Sequence, residues 1–65
     1  AVRLTKRELE VLRYLADGLS DPEIARELYV EPSTIKSHLQ NLYEKLGVSD
    51  RAAAVAAGMR QGLLE

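Results

Sequence analysis

Cysteine is absent from this 65-residue chain, as are tryptophan and phenylalanine, and there is one histidine. Without Cys there is no disulfide, and with a single His there is no Cys/His set of the kind that holds structural zinc, so stability must come from one apolar core. That core has to be aliphatic and Ala-rich, because the only aromatics are three tyrosines. No apolar run approaches the roughly 20 residues of a membrane span, and no basic-then-apolar leader opens the chain, which leaves the cytoplasm as the default compartment. An excess of one charge is also missing: the formal net charge is -1. Residues 1–32 hold seven acids against five bases, net -2, and residues 33–65 four bases against three acids, net +1. Any electrostatic attraction to a polyanion must therefore be local, and a monomer should hold non-specific DNA weakly.

What is present is a chain of helix signals. The length allows one domain, expected to be stable by only a few kcal/mol. The first residue is Ala rather than Met, which reads as a domain excised from a longer protein. Leu4-Thr5-Lys6-Arg7-Glu8-Leu9 places a capping Thr three residues before a Glu, with Leu4 and Leu9 placed to form a hydrophobic staple. Leu9, Leu12 and Ala16, with Val11 and Leu15 beside them, form an apolar stripe, and Gly18 supplies a left-handed stop. These signals predict a helix over about 6–17. Leu19-Ser20-Asp21-Pro22-Glu23-Ile24 repeats the grammar and predicts a short helix over 21–28, where the small Ala25 permits a close crossing.

Tyr29-Val30-Glu31 then forms a tight link, and Pro32 suits the first position of a third helix over 32–46. Ile35, Leu39, Leu42 and Leu46 recur at i, i+4, i+7 and i+11, one face of a helix with 3.6 residues per turn. The opposite side carries Ser33, Lys36, Ser37, Gln40 and Asn41, with no carboxylate until Glu44. Hydroxyls, amides and Lys are the groups that bond base edges and phosphates, whereas plain solvation is usually met by Glu/Lys pairs. After Gly47, Val48 is expected to return to the core. Ser49 or Asp50 caps a fourth helix over about 50–61, whose Ala54 and Gly58 make a flat patch for helix packing within the chain or against a second copy. Gln61–Glu65 is expected to fray, apart from Leu63 and Leu64, which fold back.

The remaining candidates have plainer readings. His38 borders the core face and reads as a packed, hydrogen-bonded structural residue. Ser37 beside it is no nucleophile pair, because adjacent helix positions diverge by about 100°. No enzyme, metal or cofactor is indicated. Tyr14, Tyr29 and Tyr43 read as half-buried residues at the core edge. Glu8 reads first as a capping acid, and Arg51 as its structural ion partner or a phosphate contact, with the structural role ahead.

Taken in order, LTKRELEVLRYLADGLSDPEIARELYV and STIKSHLQNLYEKLGVSDRAAAV resemble the LuxR-type (GerE-like) helix-turn-helix of bacterial transcription regulators, including NarL/FixJ-group response regulators. The motifs are Leu4-Thr5-x-x-Glu8 with Glu10-Val11-Leu12, Gly18-Leu19-Ser20, Glu23-Ile24-Ala25, Thr34-Ile35-Lys36-x-His38, and Lys45-Leu46-Gly47-Val48 with Arg51. The resemblance implies an all-α, four-helix domain over residues 1–65, the C-terminal output domain of a two-component or similar regulator. It implies binding to double-stranded DNA as a homodimer, with the third helix in the major groove. Base reading falls on Lys36 and Ser37, flanked by Ser33 and Gln40, and phosphate contacts on Thr34, Asn41 and Lys45. The dimer contact falls on the fourth helix, at Ala54, Val55, Gly58 and Met59. Glu31, Asp21-Pro22 and the neutral Ser33 and Gln40 depart from the family pattern and lower the positive charge at the DNA face. Glu31 retains a carboxylate able to cap the third helix.

Two alternatives stand beside this reading. Region 4 of sigma factors also opens on an LTxRE-like run and contains a helix-turn-helix, and it would bind promoter DNA with RNA polymerase as partner. A helical protein-interaction module would instead use the Ala54/Gly58 patch and bind no DNA.

Overall fold

The computed structural model describes residues 2–64, which form four helices: α1 (Lys6–Ala16), α2 (Asp21–Leu28), α3 (Pro32–Leu46) and α4 (Arg51–Arg60). No strand occurs among the described residues. The expected bounds hold to within one residue, since Asp17, Asp50 and Gln61 are caps rather than helical positions. Both capping boxes form. Thr5 Oγ1 accepts from the Glu8 N–H at 3.1 Å while Glu8 Oε1 accepts from the Thr5 N–H at 2.8 Å. Ser20 and Glu23 repeat the exchange at 3.3 and 2.7 Å. Asp50 caps α4 by accepting from the Ala53 N–H at 2.8 Å. Glu31 makes no such bond, so α3 is the one helix of the four without a side-chain cap.

The helix ends share one design. An N–H returns five residues at each: Leu19 to the Tyr14 carbonyl, Val30 to Ala25, Val48 to Tyr43 and Leu63 to Gly58. Each of these donors is also an apolar residue packed against the core, so every chain reversal is closed by a hydrogen bond and a hydrophobic contact together. The residue before each donor is left-handed. Gly18, Gly47 and Gly62 take that role at φ of 86, 70 and 71°, but between α2 and α3 it falls to Tyr29 at φ 57°. A side chain in that conformation costs about 1–2 kcal/mol relative to the ordinary helical region.

The core comprises Val11, Leu12 and Leu15 of α1, Ile24 and Ala25 of α2, Ile35, Leu39, Leu42 and Leu46 of α3, and Ala54 and Ala57 of α4. Helix α3 packs on all three others, and α1 also packs on α4. The stripe expected on α3 is buried in full. On α1 the stripe is rotated from expectation: Ala16 is exposed and Glu8 is buried in its place. Leu63 and Leu64 fold back as expected, whereas Glu65 lies outside the described residues. Ala54 and Gly58 face inward. A Cβ added at Gly58 would lie 3.0 Å from both Leu12 Cδ2 and Leu64 Cδ1, so the small-residue patch serves packing within the chain.

Ala25 sits buried on α2, which packs against α3. Enlarging it by Ala25→Leu is expected to destabilise the domain by about 1–3 kcal/mol in urea denaturation. Ala52→Leu on the exposed side of α4 should stay within about 0.5 kcal/mol of the parent.

Candidate nucleic-acid interface

Because the stripe of α3 is fixed inward, the rest of that helix is aimed outward by its period alone. Ser33, Lys36, Ser37 and Gln40, at i, i+3, i+4 and i+7, share one face, and all four are exposed, as is Asn41. Ser37 Oγ donates back to the Ser33 carbonyl at 3.4 Å, a long bond that a better acceptor would displace. Thr34 is half-buried at the flank. Pro32 has no N–H, the N–H groups of Thr34 and Ile35 both bond the Glu31 carbonyl, and the first turn holds no acid. The Ser33 N–H is left without an acceptor among the described residues, at the positive end of a 15-residue helix. A structured face with no carboxylate before Glu44 and with an open N-terminus is chemically suited to phosphates and base edges.

One tie outside the apolar core holds this helix directly, and a second joins two of the helices packed against it. Lys45 Nζ lies 2.8 Å from Glu8 Oε1, joining the last turn of α3 to the first turn of α1. Glu8 is only 5% exposed. Its burial raises the carboxyl pKa, but the hydrogen bond from Lys45, the Thr5 N–H, the Lys45 charge and the Thr5 hydroxyl together outweigh this and hold it below the ordinary 4.5. The second tie runs through Arg51, whose Nη1 donates to the Leu19 carbonyl and whose Nη2 meets Asp21 Oδ1 at 3.1 Å. Arg51 therefore joins the start of α4 to the start of α2. The expected Glu8–Arg51 pair is replaced by these two, and Lys45, expected at a phosphate, has a carboxylate partner already. Tyr43 lies near this second tie, and its pKa is raised by burial despite the Arg51 charge.

The other expectations sort by burial. Tyr14 and Tyr43 are half-buried against the core, but Tyr29 is 95% exposed. The signal for this was available: Gly18-Leu19 and Gly47-Val48 end their helices in the same pattern as Tyr29-Val30, which marks Tyr29 as a left-handed, outward position. His38 is half-buried, and its ring makes no hydrogen bond among the described residues. Of the four residues expected at a dimer contact, Ala54 and Gly58 are buried within the chain, Val55 is half-buried, and Met59 is 63% exposed. Ala52 and Ala56 lie exposed beside them.

A short α2, a three-residue turn and an outward-facing α3, backed by two further helices, define a tetrahelical helix-turn-helix domain. Residues 2–57 match the family described as "Bacterial regulatory proteins, luxR family", and the chain belongs to that family. It is thus a DNA-binding, transcription-regulator domain. It is 68% identical over 62 residues to the probable transcriptional regulatory protein NarL of Mycobacterium tuberculosis, covering 95% of this chain and 29% of that protein. Transcriptional regulatory protein LiaR of Bacillus subtilis is 44% identical over 61 residues, 94% of this chain and 29% of its own length. Among solved structures, the transcription factor GerE superposes with a TM-score of 0.88 at 35% identity, covering 95% of this chain and 92% of that one. The response regulator ChrA of a heme-sensing two-component system superposes at 0.93 and 42% identity, over 95% of this chain and 31% of its own. The chain spans about three-tenths of the length of the curated relatives it matches. No described helix is long and apolar enough to cross a membrane.

The Glu8 carboxyl has a depressed pKa in the folded state, so its contribution is complete above the unfolded value and lost as pH falls through the folded one. Glu8→Gln is expected to destabilise the domain near neutral pH by about 1–2 kcal/mol, discounted because Lys45 is partly in solvent. Thermal melts from neutral pH down to below 4.5 should show the gap between parent and variant closing on acidification.

Proposed function

We propose that α3 reads a specific double-stranded DNA site from the major groove, with Lys36 and Ser37 at base edges and Ser33 and Gln40 to either side. The observation that carries this is the exposed face of α3 from Ser33 to Gln40, which holds no carboxylate before Glu44, with its uncapped N-terminus, held rigidly by a buried stripe. Lys can donate to guanine O6 and N7, and Gln can pair with adenine N6 and N7. Thr34 and the Ser33 N–H are the phosphate contacts at the helix N-terminus, with Asn41 farther along. Lys45 takes a lesser part in phosphate binding, because Glu8 already neutralises it. A solved neighbour at 27% identity and a TM-score of 0.88, covering 97% of this chain and 28% of its own, is the Vibrio cholera VqmA in a ligand–DNA complex, which supports DNA binding through this fold.

The bound form is a homodimer joined through the outer side of α4. Val55 and Met59 carry the contact, together with Ala52 and Ala56 in place of the buried Ala54 and Gly58. Four small or single apolar groups bury little area, so the dimer assembles on DNA rather than before it. Burial of Ala54 and Gly58 also removes the surface on which a purely protein-binding module would have relied. The domain acts as the output part of a longer cytoplasmic regulator, with RNA polymerase as the second partner at the promoter. A signal-receiving domain hides α3 or α4 until signalled, so the intact regulator should bind DNA more tightly with its signal than without it.

Fluorescence anisotropy on a selected duplex tests the reading. Binding should depend on the second power of protein concentration and weaken with salt. Lys36→Ala is expected to lose about 1–3 kcal/mol of specific affinity, and Lys45→Ala to change the salt slope by less than the unit expected for a phosphate contact. Met59→Glu should abolish the second-power dependence while leaving the fold intact. Absence of binding at low salt by a folded chain would overturn the proposal.

A further inference from the structure

The helix-turn-helix turn carries a residue that the fold does not ask for. Three of four helix ends place glycine at the left-handed position, and the fourth places Tyr29, whose ring is 95% exposed and whose hydroxyl bonds to nothing among the described residues. Packing therefore does not explain the side chain, and the backbone disfavours it. The flanking charges are also one-sided. Residues 20–35 carry Asp21, Glu23, Glu27 and Glu31 against Arg26, a local net charge of -3 in a chain whose total is -1. Asp21 is tied to Arg51 and Glu23 to the Ser20 N–H, whereas Glu27 and Glu31 are exposed and make no ion pair among the described residues. Local rules broken without a gain in stability concentrate at functional sites.

We propose that the turn between α2 and α3 docks an arginine-bearing protein surface, with the Tyr29 ring as the platform and Glu27 and Glu31 as the ion-pair partners. Charge complementarity selects the occupant. From Glu27 to Pro32 the only charges are Glu27 and Glu31, so this turn favours a cation, whereas the proposed phosphate contacts at the Ser33 N–H and Thr34 lie beyond it on α3. A guanidinium can both stack on an aromatic ring and pair with a carboxylate. The docking leaves the outward face of α3 free, so a DNA-bound domain would present the turn to a neighbouring protein.

The test titrates nona-arginine and, separately, nona-lysine peptide into the isotopically labelled 65-residue chain at low salt, followed residue by residue by NMR. Shifts are expected to concentrate on Glu27 to Pro32, with nona-arginine bound roughly threefold more tightly than nona-lysine. Tyr29→Gly suits the left-handed backbone and so keeps the fold; it should abolish the arginine preference. Glu27→Gln with Glu31→Gln should weaken both peptides. Equal binding of the two peptides, shifts spread over Glu10, Asp17 and Glu44, or an arginine preference that survives Tyr29→Gly would each overturn the proposal. A parallel duplex titration separates this inference from DNA binding itself. Tyr29→Gly should leave DNA affinity unchanged within about twofold, and a larger loss would place the ring on DNA and overturn the docking site.

Discussion

The whole domain depends on α3 doing two things with one helical period. Its stripe of Ile35, Leu39, Leu42 and Leu46 lies on a helix that packs on all three others, and it supplies four of the eleven buried apolar residues described. A helix buried along one stripe has no freedom to rotate, because every rotation exposes Leu or Ile and buries a polar group at a cost of several kcal/mol. The outward direction of Lys36, Ser37 and Gln40 is thus a consequence of core packing, and no dedicated contact is needed to aim them. The same constraint explains the small residues elsewhere. Ala25 lets α2 approach, and Ala54, Ala57 and Gly58 let α4 lie close, so the hub can be surrounded within 65 residues.

Charge plays a different part from apolar burial. The Glu8–Lys45 and Arg51–Asp21 ties span 37 and 30 residues of sequence, and each has at least one partner partly in solvent. Their net energies are therefore modest. What they fix is relative placement: the far end of α3 against α1, and the start of α4 against the turn before α2. Placement matters more here than energy, since a side chain displaced by an ångström loses the hydrogen bonds it was aimed to make. Neutralising Lys45 internally also confines the free positive charge of α3 to Lys36, on its outward face.

The turns show where local rules were kept and where they were set aside. Three reversals pair a left-handed glycine with an apolar residue that returns to the core, and the fourth keeps the apolar residue, Val30, but substitutes Tyr29 for glycine. Likewise three helices carry a side-chain cap and α3 does not. Both departures flank the same short link. The α2–α3 turn is thus where two local rules that the other helix ends keep are set aside together.

The sequence by itself determined the four helices, the two capping boxes, and which face of α3 is buried, because these follow from spacings within about a dozen residues: Thr5 to Glu8, Ser20 to Glu23, Ile35 to Leu46. The left-handed position of Tyr29 was legible in the same way, from its likeness to Gly18 and Gly47. Tertiary structure alone decided which carboxylate meets which cation. Glu8 was expected to pair with Arg51 and meets Lys45 instead, and Asp21 had no visible partner, since no short-range pattern relates residues 30 or more positions apart. It alone decided, too, that Ala54 is buried and Gly58 faces Leu12 and Leu64 while Met59 is exposed. A helix as uniformly small and apolar as α4 has almost no preferred face of its own, so the shape of its neighbours chooses one.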